Sequence, residues 1–406
     1  MLQAARNSRR TLGPAGAHMR YHGSTAIILA HTSCYHGMSG ARSMRFAAEK
    51  ELRVAITNEV AGPRPRTVLD AAPLPPDPRA DRAGFLRLDL NEDLSGPLVR
   101  APLPRQNDLA MYQTPHSLQR DLAARLKLPV DCIKVTAGAD EAIYGLIRAY
   151  LDPGDRLLLP RPTFVEFPTA AWSVGAVVEP APYGPDLTFP LEAFTAALRQ
   201  GPKMAVIVSP ANPTGDMLPP ERVLELAASA PGTLMLVDEA YAEYGGRSVL
   251  EAGPPPANVA VIRTFSKAYG LAAARVGYLV AQPPVIEAVR KVLPAYSLAG
   301  PSLALAHANL CRQEDLARRV RQVQAGQRRI AAWGLRHGMH VHTTSTNFVL
   351  LRLADDACAR TLTAELETRG ILVSDRTAVL PGTVRATVGA PKHVTAFLRA
   401  MEQIIQ

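Results

Sequence analysis

Aromatic residues are few in this chain, 5% of 406 with only two tryptophans, and the basic N-terminal segment, residues 1–66, holds just three, Tyr21, Tyr35 and Phe46. That counts against single-stranded nucleic acid as a ligand, because such binding needs stacking platforms along a positive groove. Cysteine is scarce as well. Cys34, Cys132, Cys311 and Cys358 are scattered without a C-x-x-C spacing, which argues against a disulfide framework and suits a reducing compartment such as the cytoplasm. No apolar run approaches the ~20 residues that cross a bilayer. Acidic residues are missing before Glu49.

That last absence explains the net charge of +9. Residues 1–66 hold ten basic residues against three acidic ones, and so carry seven of the nine excess charges. The rest of the chain is close to balance, and no nucleic-acid groove is inferred from it. Residues 1–80 read as an extension, Arg-rich and closing in Pro/Arg-rich sequence around Pro63 to Pro78. The favoured reading is a disordered tail or a true start further in, with Met44 as the candidate; an organelle transit peptide is the third option. The apolar stretch Thr25 to Ala30 is short for a secretory signal.

The body of the chain, 47% hydrophobic overall, is long enough for two domains. Phe85 to Glu92 alternates like a strand, and His116 to Leu126 reads as an amphipathic helix. Strands are then expected at Lys134–Thr136, Leu157–Leu159, Ala176–Val178, Met204–Ser209, Leu234–Asp238, Val259–Ile262 and Val276–Val280. Most are continuous apolar runs, the mark of strands covered on both faces. Helical stretches such as Glu166–Ser173 and Glu221–Ala230 lie between them. The alternation predicts an α/β domain around a mostly parallel sheet, with ligands at the carboxyl ends of its strands. Past Leu298 a helical run, Leu303 to Arg336, leads into shorter strands at His340–His342, Phe348–Leu353, Ile371–Ser374 and Val384–Val388. These predict a second, α+β domain.

The strand ends carry the chemistry. Lys267 follows one apolar run inside Thr264-Phe265-Ser266-Lys267-Ala268-Tyr269-Gly270, with Arg275 beyond. Ser266 and Arg275 suit a phosphate, and a neutral lysine amine can form an imine with an aldehyde. Thr136-Ala137-Gly138-Ala139-Asp140-Glu141 turns a strand into a helix whose N-terminus is an anion site. Asn212 sits in a stiff Pro/Gly turn. Asp238 closes an apolar strand, where a carboxylate needs a positive partner such as a protonated pyridine nitrogen. Tyr241 lies three residues on, and Phe164 follows another strand end. Lysine, acid, amide, aromatic and phosphate ligands thus fall on successive strand ends of one sheet.

In these motifs the chain resembles the fold-type I pyridoxal-phosphate aminotransferases, in texture most like their histidinol-phosphate aminotransferase-like group. The likeness spans Leu86 to Gln406. It implies a large cofactor domain at 107–297 and a small α+β domain from 81–106 and 298–406. It implies that Lys267 holds the cofactor covalently and moves the proton, that Asp238 pairs with the pyridine nitrogen, and that Asn212 and Tyr241 bind the phenolic oxygen. Gly138, Ala139, Asp140, Thr264, Ser266 and Arg275 then surround the phosphate, and Phe164 stacks on the ring. Tyr112 corresponds to a tyrosine that reaches the phosphate of a neighbouring subunit, which implies a homodimer. Arg385 corresponds to the arginine that grips the anionic group of the substrate. The implied partners are an amino donor and a 2-oxo acid such as 2-oxoglutarate, and the implied reaction is ping-pong transamination.

Departures fall on the substrate side. The family's Asn-Glu-Asn-Pro is Asn91-Glu92-Asp93-Leu94 here, its Tyr-Pro is Tyr112-Gln113, and its Arg–Asp pair after the Gly-Ile-Leu-Val strand is Ser374-Asp375. Loss of that arginine weakens the case for a phosphorylated substrate. A same-fold decarboxylase and an aminotransferase-like regulator are the rival readings; the first 80 residues show no helix-turn-helix pattern. His337, His340 and His342 read as a helix end running into an edge strand rather than as metal ligands.

Overall fold

The computed structural model describes residues 66–69, 82–99 and 109–405, all within one unit that spans Pro65–Gln406. Most of the N-terminal extension therefore lies outside the described residues. The strands are β1 (Leu86–Arg87), β2 (Ile133–Thr136), β3 (Arg156–Arg161), β4 (Val177–Pro182), β5 (Met204–Val208), β6 (Leu234–Asp238), β7 (Val259–Thr264), β8 (Gly277–Val280), β9 (His340–Thr343), β10 (Phe348–Arg352), β11 (Ile371–Leu372), β12 (Ser374–Asp375) and β13 (Thr383–Thr387).

Among the described residues, seven strands form one sheet in the order β2-β8-β7-β6-β5-β3-β4. Only β8 runs against its neighbours; the pairs β7–β6, β6–β5, β5–β3 and β3–β4 are parallel. β5 and β6 are buried along their whole length. The strand period of two divides their side chains between two cores. Ala205, Ile207, Met235 and Val237 face one, and Met204, Val206, Leu234 and Leu236 face the other. This accounts for the continuous apolar runs, since both faces are covered. The helix Glu166–Val174 packs its Phe167, Ala170 and Ala171 into the second core.

A second sheet, antiparallel, has the order β12-β13-β10-β9. The fold is thus α/β, a mostly parallel central sheet with a separate antiparallel C-terminal sheet, as the likeness noted above implies.

Three expectations are corrected. The strand expected over Phe85–Glu92 is only Leu86–Arg87, paired in parallel with β11. Past it the backbone turns inward, and Asn91 takes a left-handed φ of 57°. The helical run Leu303–Arg336 is two helices, Gly300–Leu310 and Gln313–Arg336. Arg312 breaks it with non-helical dihedrals, and Glu314 and Asp315 open the second helix, where acids suit its positive end. The strand expected over Ile371–Ser374 is split at Val373, one part pairing with β1 and the other with β13.

Candidate active site

Every strand-end motif singled out above emerges at one edge of the large sheet. β2, β3, β5, β6 and β7 run in one direction, so their carboxyl ends align, and β8 begins at that same edge just after Arg275.

At the end of β2, Gly138 opens the helix Gly138–Tyr150 with φ +82°, and a Cβ there would stand 2.5 Å from Arg275 Nη2. Gly277 on β8 is equally confined, since a Cβ would stand 2.6–2.7 Å from the backbone of Gly138 and Ala139. These two glycines let the helix N-terminus, with its unpaired amides, lie directly against Arg275. Arg275 donates from Nη2 to Asp140 at 2.7 Å and from Nη1 to Ser266 Oγ at 3.3 Å. Ser266 Oγ also accepts from Thr264 Oγ1 at 3.0 Å, which leaves its own proton free to donate. The Arg275–Asp140 pair is nearly half exposed on both sides, so its worth lies in orienting the guanidinium rather than in stability. Amides, hydroxyl and guanidinium converge on one point, a donor set that would suit a phosphate.

Asp238 ends β6 and is 3% exposed. Its carboxylate accepts from the Ala240 amide at 2.9 Å and forms no ion pair among the described residues. Burial, reinforced by Asp140 and opposed by the Ala240 amide and Lys267, pushes its pKa up to about 7. A buried acid so poised lacks a cation, and a protonated ring nitrogen is one. The next residue shows the contrast. Glu239 is just as buried but is fully engaged, accepting from Arg263 Nε at 2.9 Å, Ser248 Oγ at 2.7 Å and the Val249 amide at 2.7 Å.

Lys267 donates from Nζ to the Leu90 carbonyl at 3.4 Å and lies 5.7 Å from the centre of the Tyr241 ring. Tyr241 is buried, its hydroxyl accepting from Asn91 Nδ2 at 2.8 Å, so its own proton can be donated. Arg385, on β13, is 4% exposed; it donates to Asn212 Oδ1 at 2.6 Å and to the Asp89 carbonyl at 2.6 Å, and lies over the Phe348 ring. With its oxygen so taken, Asn212 has its Nδ2 protons left for a ligand.

The buried, cation-less carboxyl, the lysine nearby and this donor set together fit pyridoxal phosphate. Phe164 is half-buried, edge-on to Phe167 at 6.2 Å. Tyr112 stands apart: it is 81% exposed and stacks on Tyr296 at 4.5 Å.

In the sequence Asn91 marks only the start of a motif that departs from the family's, and nothing there gives the segment Asp89–Asn91 a role in the site. Three successive residues there touch Arg385, Lys267 and Tyr241. Two of these contacts come from backbone carbonyls, which leave no trace in residue type. Asn91 was the one available signal, as a residue tolerant of left-handed backbone. His337 closes the helix Gln313–Arg336 and stacks on Trp333, while His340 and His342 lie on the edge strand β9; no metal-holding cluster forms among the described residues.

Comparison with known proteins gives the same answer. The family model "Aminotransferase class I and II" matches residues 98–401. The chain belongs to this family. It is a pyridoxal-phosphate-dependent aminotransferase of the histidinol-phosphate aminotransferase-like group. An aromatic amino acid aminotransferase of Thermobifida fusca is 34% identical to this aminotransferase over 325 residues, 77% of this chain and 88% of the relative. A histidinol-phosphate aminotransferase of Jannaschia sp. is 31% identical over 340 residues, covering 80% and 93%. Among solved structures, the histidinol-phosphate aminotransferase of Sinorhizobium meliloti, in complex with pyridoxal 5'-phosphate, superposes with a TM-score of 0.76 at 25% identity, over 85% of this chain and 98% of that one. The fold is also that of an L-threonine-O-3-phosphate decarboxylase from Porphyromonas gingivalis, with a TM-score of 0.65 at 22% identity over 79% and 99%.

Proposed function

We propose that this aminotransferase moves the amino group of an amino acid, or of an amine like histidinol phosphate, to a 2-oxo acid such as 2-oxoglutarate. The observation that supports this reading best is Asp238, buried without a cation at the strand end next to the one that delivers Lys267. When bound, pyridoxal phosphate supplies an aldehyde and an electron-accepting ring. Lys267 would hold that aldehyde through its amine and, when free, would move the proton at the substrate α-carbon. Asp238 pairs with the ring nitrogen and keeps it protonated. Asn212 Nδ2 and the Tyr241 hydroxyl donate to the phenolic oxygen, and Phe164 stacks on the ring. Gly138, Ala139, Asp140, Thr264, Ser266 and Arg275 hold the phosphate. Arg385 orients the substrate through its anionic group.

The functional unit in this reading is a homodimer, with Tyr112 of each subunit reaching the phosphate of the other. Leu109, Met111, Tyr112 and Tyr296 are all at least 60% exposed, a large apolar display for a monomer surface. A cleft of about 840 Å³ beside Tyr296, lined in part by Gln113, His116, Lys134 and Arg290, holds none of the catalytic side chains and suits subunit contact instead. Residues 107–297 then form the cofactor domain, and 81–106 with 298–406 the small one. The three cysteines among the described residues are free thiols, in keeping with a cytoplasmic enzyme; no helix there is long and apolar enough to cross a membrane.

Borohydride reduction followed by peptide mapping tests the core of this. The cofactor is expected on Lys267 and nowhere in Lys267→Ala. Attachment at another lysine would overturn the assignment. A screen of amines by the cofactor's absorbance then identifies the donor. Stoichiometric carbon dioxide without keto product would move the assignment to the decarboxylase reading.

A further inference from the structure

One guanidinium ties together two backbone segments that flank Lys267. Arg319, on the helix Gln313–Arg336, is 9% exposed. It donates from Nη1 to the Ala268 carbonyl at 3.2 Å and from Nη2 to the Gly96 carbonyl at 2.7 Å. Its Nε lies 3.2 Å from Asp93 Oδ2, in a buried ion pair. The other carboxylate oxygen, Oδ1, accepts from the Ser95 amide at 2.9 Å. All three guanidinium nitrogens and both carboxylate oxygens are thus engaged. The planar fork of arginine serves three acceptors in fixed directions, which the ammonium of a lysine on its flexible stem does not.

The two segments also meet directly. The turn after Lys267 closes as the Gly270 amide donates to the Lys267 carbonyl at 2.9 Å. Gly270 takes φ +67°, and a Cβ there would collide with the Gly96 carbonyl oxygen and stand 2.6 Å from Arg319 Nη1. A few residues before Gly96, the same segment presents the Leu90 carbonyl to Lys267 Nζ and Asn91 to the Tyr241 hydroxyl. Lys267 therefore leaves a backbone held by Arg319 and points to a second backbone held by the same Arg319. Asp93 stands where the family's motif has asparagine. An asparagine carries no charge, so the ionic form of this contact comes with the departure. A buried ion pair adds little net stability over a well-packed apolar substitute, whereas removing one partner strands a buried charge.

We propose that Arg319 and Asp93 form a clamp that positions Lys267, by holding the turn Lys267–Gly270 at a fixed spacing from the segment Asp89–Gly96. The inference rests on the proposed function and adds to it a residue outside the site. Arg319 is a positioning residue, acting through Ala268, Gly96 and Asp93. Proton transfer is steep in distance, and a misplacement of about 1 Å can cost on the order of 10²-fold in rate. Loosening the clamp therefore acts on the step that Lys267 serves and spares substrate affinity, which Arg385 carries.

The test has two arms. In the cofactor-free protein, hydrogen exchange read by mass spectrometry follows peptides over residues 264–271 and 93–97. Arg319→Gln is expected to speed exchange there by about tenfold, and Arg319→Lys by less. In the loaded enzyme, the half-reaction is followed by the cofactor's absorbance with glutamate, or with the fastest amine of the screen above. Arg319→Gln is expected to slow it about tenfold at saturating amine while the half-saturating concentration changes by less than about twofold, and Arg319→Lys to recover part of the rate. Arg319→Gln strands the Asp93 carboxylate, so the double variant Arg319→Gln/Asp93→Asn guards against a loss of folding. Compared with Asp93→Asn alone, it is expected to show the same two effects, each by about threefold or more. The proposal is overturned if exchange at these peptides is unchanged, if exchange speeds while the saturating rate is kept, or if the loss lies in the half-saturating concentration. The exchange arm needs no cofactor, and borohydride attachment at Lys267 of the wild type reports on the underlying aminotransferase reading separately.

Discussion

At Asp238 a single carboxyl couples folding to cofactor binding. In the cofactor-free chain burial raises its pKa from the ordinary 3.8 to about 7. Between those values the folded chain binds a proton that the unfolded chain has released, so stability falls as pH rises. The stabilising effect of the protonated form is complete below 3.8 and is lost as pH passes through about 7. Asp238→Asn cannot ionise. Urea unfolding of the cofactor-free proteins is therefore expected to show the wild type losing stability relative to Asp238→Asn as pH rises through that window. With a cationic ring beside it the carboxylate is stabilised as the ion, and the trend should vanish in the holoenzyme. Parallel pH profiles for the two cofactor-free proteins would refute this account. Much of this was legible in the sequence, since an acid closing an apolar strand requires a positive partner. The degree of burial was not, because it depends on β5 and β7 flanking β6.

The segment Asp89–Asn91 works as an element rather than through any one side chain. It is anchored by Arg82 on Asp89 and Glu92 at 2.6 and 2.8 Å, and by Arg319 on Asp93 at 3.2 Å. Asn91 joins two demands: a left-handed backbone at φ 57° and a donor for Tyr241. Replacing it separates them. Asn91→Gly keeps the backbone conformation and loses the donor, whereas Asn91→Ala loses both. The alanine variant should be about 1–2 kcal/mol less stable than the glycine variant, and both should slow the amine half-reaction by about tenfold through the lost hydrogen bond. Equal stability of the two variants would remove backbone strain from the argument, and an unchanged half-reaction would remove the role of the Tyr241 contact. The apolar alternation of Phe85 to Glu92 suggested a full strand here. It becomes a short one because the carbonyls of Asp89 and Leu90 are used by Arg385 and Lys267 and are not available to a sheet partner.

For the whole molecule, the display of Tyr112 and Tyr296 on the surface leads to a complementation test. If each Tyr112 completes the site of the other subunit, a mixed dimer of Lys267→Ala and Tyr112→Ala chains has one site with both defects and one with neither. Co-refolded or co-expressed mixtures should then recover activity that neither variant shows at its level alone, up to about a quarter of wild type for random pairing. Recovery no greater than the sum of the separate variants would place Tyr112 outside the neighbouring site.

The alternation of strands and helices in the large sheet and the two-sided burial of that sheet could be read from residue order, because continuous apolar runs and strand-end polar residues are local patterns whose meaning the α/β architecture fixes. What surrounds the substrate could not. Ser374 faces Arg385 only through the antiparallel register of β12 and β13, and Asp89 to Asn91 reach Arg385, Lys267 and Tyr241 across 150 or more positions of chain. Contacts made by backbone carbonyls and by cross-strand pairs are properties of the folded geometry, and so the tertiary structure alone decided them.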